Sequence, residues 1–391
     1  MEINNICIIC DGYPTERYEK NTFVKQLVIA FSELGISCTV IAPISLTSDF
    51  IHGRQIAPKY ELHKYGNGKE VKIYRPRYFS FSEKEILGVN TFKLTYAGFM
   101  TAISGVFRRL HPKPDVLYAH FLLPSGLAAM SQGLKYNIPT FYANGESKLR
   151  IDKFFNIDRI RYLLDSLSGV ISVSSANKQQ LIDMKLVPEN KVKVFVNGID
   201  DSIFYKRDKQ EMRRKLGFDQ KNFIVAFVGH FNERKGVERL SEALDMLPDV
   251  KSVFIGNGPK TPKCRGQLFC GPLPHEKLPE YLSACDVFVL PTLAEGCCNA
   301  IIEAMACGLP VISSNLNFND DILSEENSIR VDPLNINEIK KAIENIKENP
   351  VIQKRMSDAS LKIASSLNVK QRAINILEFI KNNTQDNKDL C

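Results

Sequence analysis

The sequence predicts an α/β protein made of two successive doubly wound domains, each built on a parallel sheet. Three observations lead there. The chain has 391 residues, beyond the roughly 250–300 residues at which a single core stops growing. Short β-branched apolar runs alternate with stretches of helical spacing, as in parallel sheets buried on both faces. After a turn through Val196–Phe204 the alternation starts afresh, so there are two arrays rather than one long one.

Asn5–Cys10 is an apolar run of strand length and opens the first array. Thr22–Leu34 carries apolar residues at 23, 24, 27, 28, 31 and 34, one face of a helix, and Gly35 is placed to end it. Cys38–Ala42, Val116–Ala119, Thr140–Tyr142, Val170–Val173 and Val192–Val196 continue as strands. In the second array Asn222–Val228 is a strand and about Gly236 to Met246 a helix. Ser252–Ile255, Val287–Leu290 and Val311–Ser313 are strands, with a helix over Asn299–Ala306. Val369–Lys381 has apolar residues at 369, 373, 374, 376, 377 and 380 and reads as an amphipathic helix packed on a body it did not begin with. Asn382–Cys391 reads as a polar, frayed tail. The expected division is 1–200 with 368–391, and 201–367. Two such domains would set the C-terminal ends of their strands around a central crevice.

Composition narrows the function classes. Apolar content is 44% and charged content 24%, ordinary globular usage, which excludes a disordered or fibrous chain. No stretch approaches about 18 uninterrupted apolar residues, and the N-terminus lacks a basic leader, so neither a membrane span nor a signal peptide is expected. The ten cysteines show no paired zinc-ligand spacing, and the Cys7–Cys10 pair lies inside a strand, so all are expected as reduced thiols of a cytoplasmic protein. The net charge is +7, and all of it belongs to residues 1–200, which hold 25 Lys and Arg against 18 Asp and Glu. Residues 72–113 carry eight bases (Lys72, Arg75, Arg77, Lys84, Lys93, Arg108, Arg109 and Lys113) and only Glu83 and Glu85 as acids. That segment is expected to be either a solvated face or a surface for an anionic partner such as lipid headgroups. The charge is too dilute, and too poor in interleaved aromatics, for nucleic acid.

Two clusters carry chemistry. The strand ending at Val228 runs into GHFNERKG, Gly229 to Gly236, and then into a helix. Glycines at a strand-to-helix turn expose backbone amides that suit phosphate, Arg234 and Lys235 add cations, and His230 adds a donor. Neither a dinucleotide fingerprint nor a Walker loop is present. The second cluster follows the strand Val287–Leu290. Glu295 lies in its loop, the amides of Gly296, Cys297, Cys298, Asn299 and Ala300 open a helix, and Glu303 comes eight residues after Glu295. Carboxylates at such places suit the hydroxyls of a sugar or ribose. Taken together, cations and helix termini for a diphosphate and carboxylates for polyols describe a nucleotide-sugar pocket. No spaced Asp-x-Asp occurs, so no metal or other cofactor is expected, the cations serving instead.

The stretch 225–312 resembles the large glycogen-synthase-like group of retaining glycosyltransferases, whose GT-B fold pairs two Rossmann-like domains. VGHFNERKGVERLSEAL, GNGP, FCGPL and YLSACDVFVLPTLAEGCCNAIIEAMACGLPVISS stand in that family's order and spacing, and a weaker similarity runs from about residue 6 to 380. The resemblance implies Lys235 and Arg234 on the donor diphosphate, Glu295 at the donor sugar and Glu303 at the ribose. It implies a pyrophosphate cradle from Gly296–Ala300 and base contacts from Gly271 to Leu273. In the first domain it points to His120 and the turn at Asn197, with Asn21 of the first loop as a further cleft candidate, and it makes 201–367 the donor domain and 1–200 the acceptor domain. The last helix resembles the family's crossing helix.

The sequence also departs from the family. The first loop carries Lys20-Asn21 where glycine is usual, and His230 stands where arginine is usual. Asn144-Gly-Glu-Ser147 replaces a His-Gly-x-Asp motif, which places an amide that hydrogen bonds but does not titrate at a catalytic position. The implied reaction breaks the donor sugar–phosphate bond, and the acceptor hydroxyl enters from the same face with retention of configuration. The partners implied are a nucleotide-sugar donor and a glycan or polyprenyl-linked acceptor, in bacterial surface polysaccharide or glycolipid synthesis, with an anionic membrane surface as a candidate site of peripheral attachment. The sequence also fits a nucleotide-sugar-binding subunit without activity, or another GT-B enzyme such as an epimerase.

Overall fold

A computed structural model of the chain describes residues 2–15, 20–51, 56–81, 84–86, 89–149, 151 and 157–385. It divides into two compact units, Met1–Val196 with Val369–Cys391, and Asn197–Asn368. Residues 197–200, expected with the first domain, belong to the second. Ile199 bridges Asn368, and the Asn197 amide reaches Asn299.

Unit 1 is built on strands β1 (Asn5–Ile9), β2 (Ser37–Ile41), β3 (Tyr60–Lys64), β4 (Glu70–Tyr74), β5 (Val116–His120), β6 (Thr140–Asn144), β7 (Gly169–Ser172) and β8 (Val192–Val194). Their order is β8-β7-β6-β5-β1-β2-β4-β3, parallel throughout except for the β3–β4 edge pair. The central strands are buried on both faces, which is why they read as unbroken apolar runs. Cys7 and Cys10, three residues apart, fall in different core clusters on opposite faces of the sheet, so the strand keeps them apart. The cysteines of the described residues are free thiols. Cys391 lies outside the described residues.

Helix α1 (Thr22–Glu33) buries Val24, Leu27, Val28 and Phe31 against this sheet and ends at Gly35 in the left-handed region, φ 86°. Helix α2 (Thr91–Arg109) follows β4. Unit 2 has strands β9 (Phe223–Val228), β10 (Val250–Ile255), β11 (Gln267–Gly271), β12 (Val287–Leu290), β13 (Val311–Ser314) and β14 (Ser328–Val331). All are parallel, in the order β11-β10-β9-β12-β13-β14. Helix α3 (Val237–Asp245) follows β9 and helix α4 (Asn299–Ala306) follows β12.

Helix α5 (Val369–Gln385) belongs to unit 1, where Ala373, Ile376, Leu377, Phe379 and Ile380 join the core with α1 and Phe195. It runs through residues expected as tail, and 386–391 lie outside the described residues. Its seat explains Gly169. A Cβ there would lie 2.9 Å from the rings of both Phe141 and Phe379, so any larger residue would lift the helix from the sheet.

The basic segment of unit 1 is less basic at its surface than its sequence suggests. Arg75 is 1% exposed, pairs with Glu61 at 2.7 Å and donates to the Pro14 carbonyl at 3.1 Å. Arg77 donates to the Ala57 carbonyl. Lys113 holds the carbonyls of Phe107 and Leu110 at the C-terminal end of α2, where a cation opposes the helix dipole. Lys72, Lys84, Lys93, Arg108 and Arg109 are exposed. No described helix is long and apolar enough to cross a membrane.

Candidate functional site

In an open parallel sheet, ligands bind beyond the C-terminal ends of the strands where the strand order reverses. In unit 2 that point lies between β9 and β12, and it brings the two sequence clusters together. β9 delivers Gly229–Gly236 and β12 delivers Pro291–Cys298. Gly236 links them. Its φ of 77° is left-handed, and a Cβ would lie 2.4 Å from the Pro291 carbonyl oxygen, so glycine alone lets the two loops touch.

Glu295 is the hub. Its Oε1 accepts from Lys235 Nζ at 2.8 Å, Arg234 Nη1 at 2.8 Å and Thr292 Oγ1 at 2.7 Å. Arg234 also donates to the Ala294 carbonyl. Lys235 and Glu295 are nearly buried, with side chains 12% and 11% exposed. Burial disfavours the Lys235 ammonium, while Cys298 and Glu295 beside it favour it, and the balance lies above the ordinary lysine value. Cys298 is itself pushed up to about 11, chiefly by burial, so near neutral pH it is a neutral thiol. The Glu295 carboxylate is therefore the charge that keeps Lys235 protonated. Both cations of the site thus meet on the carboxylate that the resemblance assigns to the sugar.

Helix α4 begins at Cys298 without a side-chain cap. Its N-terminus keeps the partial positive charge that an anion can meet. Asn197 Nδ2 donates to Asn299 Oδ1 at 2.8 Å, so this landmark of the first half braces the start of α4 within unit 2. Glu303, one turn into α4, is 9% exposed and accepts from His275 Nε2 at 2.9 Å. Gly271 closes β11, and the turn through Leu273 leads to His275. His230 is exposed at the loop tip, its Nδ1 3.1 Å from Asn232 Nδ2. Asn232 in turn accepts from the Lys235 amide at 2.9 Å.

In unit 1 three of the expected site residues make contacts within the fold. Asn144 is fully buried, and its amide is spent internally. It donates to the Asn177 carbonyl at 3.0 Å and accepts from Tyr142 Oη at 3.2 Å and Asn177 Nδ2 at 3.3 Å. The Asn144 amide is thus engaged within unit 1. His120 is 3% exposed and lies 4.7 Å from the Phe23 ring and 4.5 Å from the Phe121 ring. Burial, with Arg372 nearby, pushes its pKa down to about 3, so it is a neutral ring in an aromatic cluster. Asn21 opens α1 in a left-handed conformation, φ 59°, and donates to Asp11 Oδ1 and the Gly12 carbonyl. Lys20 pairs with the other Asp11 oxygen at 2.7 Å. Asp11, Lys20 and Asn21 thus form a polar knot, and residues 16–19 lie outside the described residues.

Two residues escape sequence reading. Glu146 accepts from Tyr142 Oη at 2.9 Å, the Gly145 amide at 3.0 Å and the Leu122 amide. Burial pushes its pKa up to about 7 against the pull of those donors. It pins the turn after β5 to the turn after β6. His275 is the other, and only its contact across to α4 distinguishes it. No spacing in the sequence signals either role.

Cations, carboxylates and an uncapped helix at the sheet's switch point make a site suited to an anion and to hydroxyls, and comparison with known proteins gives the class. The model for glycosyl transferases group 1 matches residues 208–362, and that for glycosyltransferase family 4 matches residues 21–203. The chain belongs to the group 1 glycosyltransferases. It is 25% identical over 371 residues to a putative teichuronic acid biosynthesis glycosyltransferase of Bacillus subtilis, covering 90% of this chain and 91% of that one. Among solved structures, sucrose-phosphate synthase from Thermosynechococcus elongatus superposes with a TM-score of 0.76 at 19% identity, over 98% of this chain and 100% of that one. Anabaena HepE in complex with UDP and glucose superposes with a TM-score of 0.69 at 17% identity, over 97% and 100%. These two likenesses establish the GT-B fold.

Proposed function

We propose that the protein is a retaining glycosyltransferase that takes a sugar from a nucleoside-diphosphate donor held on unit 2. The observation that carries this reading is the Lys235–Arg234–Glu295 cluster set against the uncapped start of α4. A diphosphate arriving there draws Arg234 and Lys235 toward its oxygens, and Glu295, relieved of two cations, turns its carboxylate to the hydroxyls of the donor sugar. The amides of Gly296–Ala300 meet the pyrophosphate, Glu303 the ribose and the Gly271–Leu273 backbone the base. The same cations stabilise the departing diphosphate as the sugar–phosphate bond breaks, which makes a metal unnecessary. The leaving oxygen accepts the acceptor's proton, and retention follows from attack on the face it vacates. That HepE was solved with UDP and glucose supports a donor of this type. Transfer by Lys235→Ala or Glu303→Ala at the wild-type rate would refute the reading, as would a rate abolished by EDTA for its metal-free form.

Unit 1 is assigned the acceptor, a glycan or polyprenyl-linked hydroxyl compound of surface polysaccharide or glycolipid synthesis. The relative named for teichuronic acid biosynthesis supports that setting. The exposed Lys72, Lys84, Lys93, Arg108 and Arg109, in a segment that also exposes the rings of Phe79 and Phe81, support an anionic membrane surface as a further partner. Co-sedimentation with phosphatidylglycerol vesicles that weakens between 50 and 500 mM salt is expected, at roughly those concentrations where screening takes hold. Absence of binding at low salt counts against it.

A further inference from the structure

We propose that His275 is a positioning residue for the nucleoside end of the donor. It fixes the carboxylate that meets the ribose, and it ties the loop beneath the base to the helix that carries the ribose and phosphate contacts. The inference rests on the reading of unit 2 as a nucleotide-sugar site and deepens it.

The geometry is specific. His275 opens the short turn His275–Lys277, four residues after the last residue of β11. Glu303 sits on α4, so their 2.9 Å contact joins two elements 28 residues apart. Both side chains are largely withdrawn from solvent, 19% exposed for His275 and 11% for Glu303. The face of the imidazole is held by Phe204, whose ring lies 5.0 Å away and which is itself 2% exposed. The donor position is thereby locked. Nε2 must carry the proton to serve a carboxylate, which fixes the tautomer.

A carboxylate on a helix and free at both oxygens can present itself to a ribose in several rotamers, and ordering it costs side-chain entropy when the ligand binds. His275 removes that freedom beforehand. It occupies Oε1 and leaves Oε2 as the oxygen that meets a ribose hydroxyl. The same bond transmits the position of the Gly271–Leu273 backbone to α4, so base and ribose are read as one rigid unit. A mere strut would hold the turn but have no bearing on whether the ligand carries ribose hydroxyls.

The test compares the wild type, His275→Ala and His275→Gln for binding of UDP, GDP and ADP and of their 2′,3′-dideoxy counterparts, by calorimetry on the full chain. The glutamine Nε2 can take the place of the imidazole Nε2. In the wild type, at least one of the three diphosphates should bind about tenfold tighter than its dideoxy form, the size of one charge-assisted hydrogen bond. His275→Ala should bind the dideoxy compound no tighter than the wild type does and keep less than about threefold preference for the ribose form, while His275→Gln restores the preference. A His275→Ala protein that keeps the full preference, or that weakens both ligands equally, overturns the proposal. A wild type that binds none of the three overturns the reading of unit 2 as well. One that binds without discriminating the ribose overturns the role of Glu303 and this proposal, but leaves the diphosphate site standing.

Discussion

Glu146 offers a prediction whose sign and size follow from the structure. Burial pushes its carboxyl up to about 7 in the fold, against an ordinary value of 4.5, and outweighs the four donors that reach it, Tyr142 and the amides of Leu122, Gly145 and Glu146 itself. Below pH 4.5 the folded and unfolded chains are both protonated at this residue, and it contributes no pH dependence. Between 4.5 and 7 the folded state keeps a proton that the unfolded state has released, so stability falls as pH rises. Above 7 both are ionised and the loss is complete. Each pH unit between the two values is worth about 1.4 kcal/mol, which makes the whole loss about 3 kcal/mol. Glu146→Gln removes the titration while keeping the shape. Its amide faces backbone N–H groups, so a constant destabilisation is expected, but not one that varies with pH. Urea unfolding of both proteins at pH 4, 5, 6, 7 and 8 should show the wild type losing about 3 kcal/mol relative to the variant across that range. Parallel pH profiles would refute the burial argument. A wild type that gains on the variant as pH rises would show that the backbone amides and Tyr142 outweigh burial.

Further outcomes are expected elsewhere in the molecule. Asp286 accepts from Arg213 and Lys209 and from the Ile224 amide, with Arg213 only 4% exposed, so Asp286→Ala strands a buried guanidinium and should cost about 3–5 kcal/mol by chemical denaturation. A loss under about 1 kcal/mol would mean that water reaches Arg213. Gly236→Ala forces a left-handed alanine against the Pro291 carbonyl, and should abolish nucleotide-induced thermal stabilisation while lowering the melting temperature of the free protein. Gly169→Leu should separate α5 from unit 1, seen as faster amide exchange confined to residues 369–385, and unchanged exchange there would contradict the packing described.

The strands are legible where burial on both faces makes a continuous apolar run, and Val287–Leu290 and Asn299–Ala306 stand where the sequence puts them. The edge pair β3–β4 is not, because alternating exposure gives it the charged texture of a loop. Arg75 reads as surface because composition cannot see Glu61, which meets it from the neighbouring edge strand. Asn144 and His120 read as site residues because they stand at motif positions, yet the pleat and the aromatic cluster turn both inward. The donor-site cluster is legible for the opposite reason. Its cations and carboxylates lie close in sequence to two adjacent strand ends, so the switch point of the sheet brings them together. His275 and Glu146 act through contacts between elements, and linear spacing holds no record of those.

If unit 2 holds a nucleoside diphosphate on Lys235 and Glu303, calorimetry will register the loss of either residue. Titrating UDP, GDP and ADP into the wild type, Lys235→Ala and Glu303→Ala should give binding of at least one nucleotide to the wild type. That binding should weaken tenfold or more in each variant, a gap of about 1.4 kcal/mol. Equal affinity in all three proteins, or no binding by the wild type at millimolar nucleotide, would contradict it.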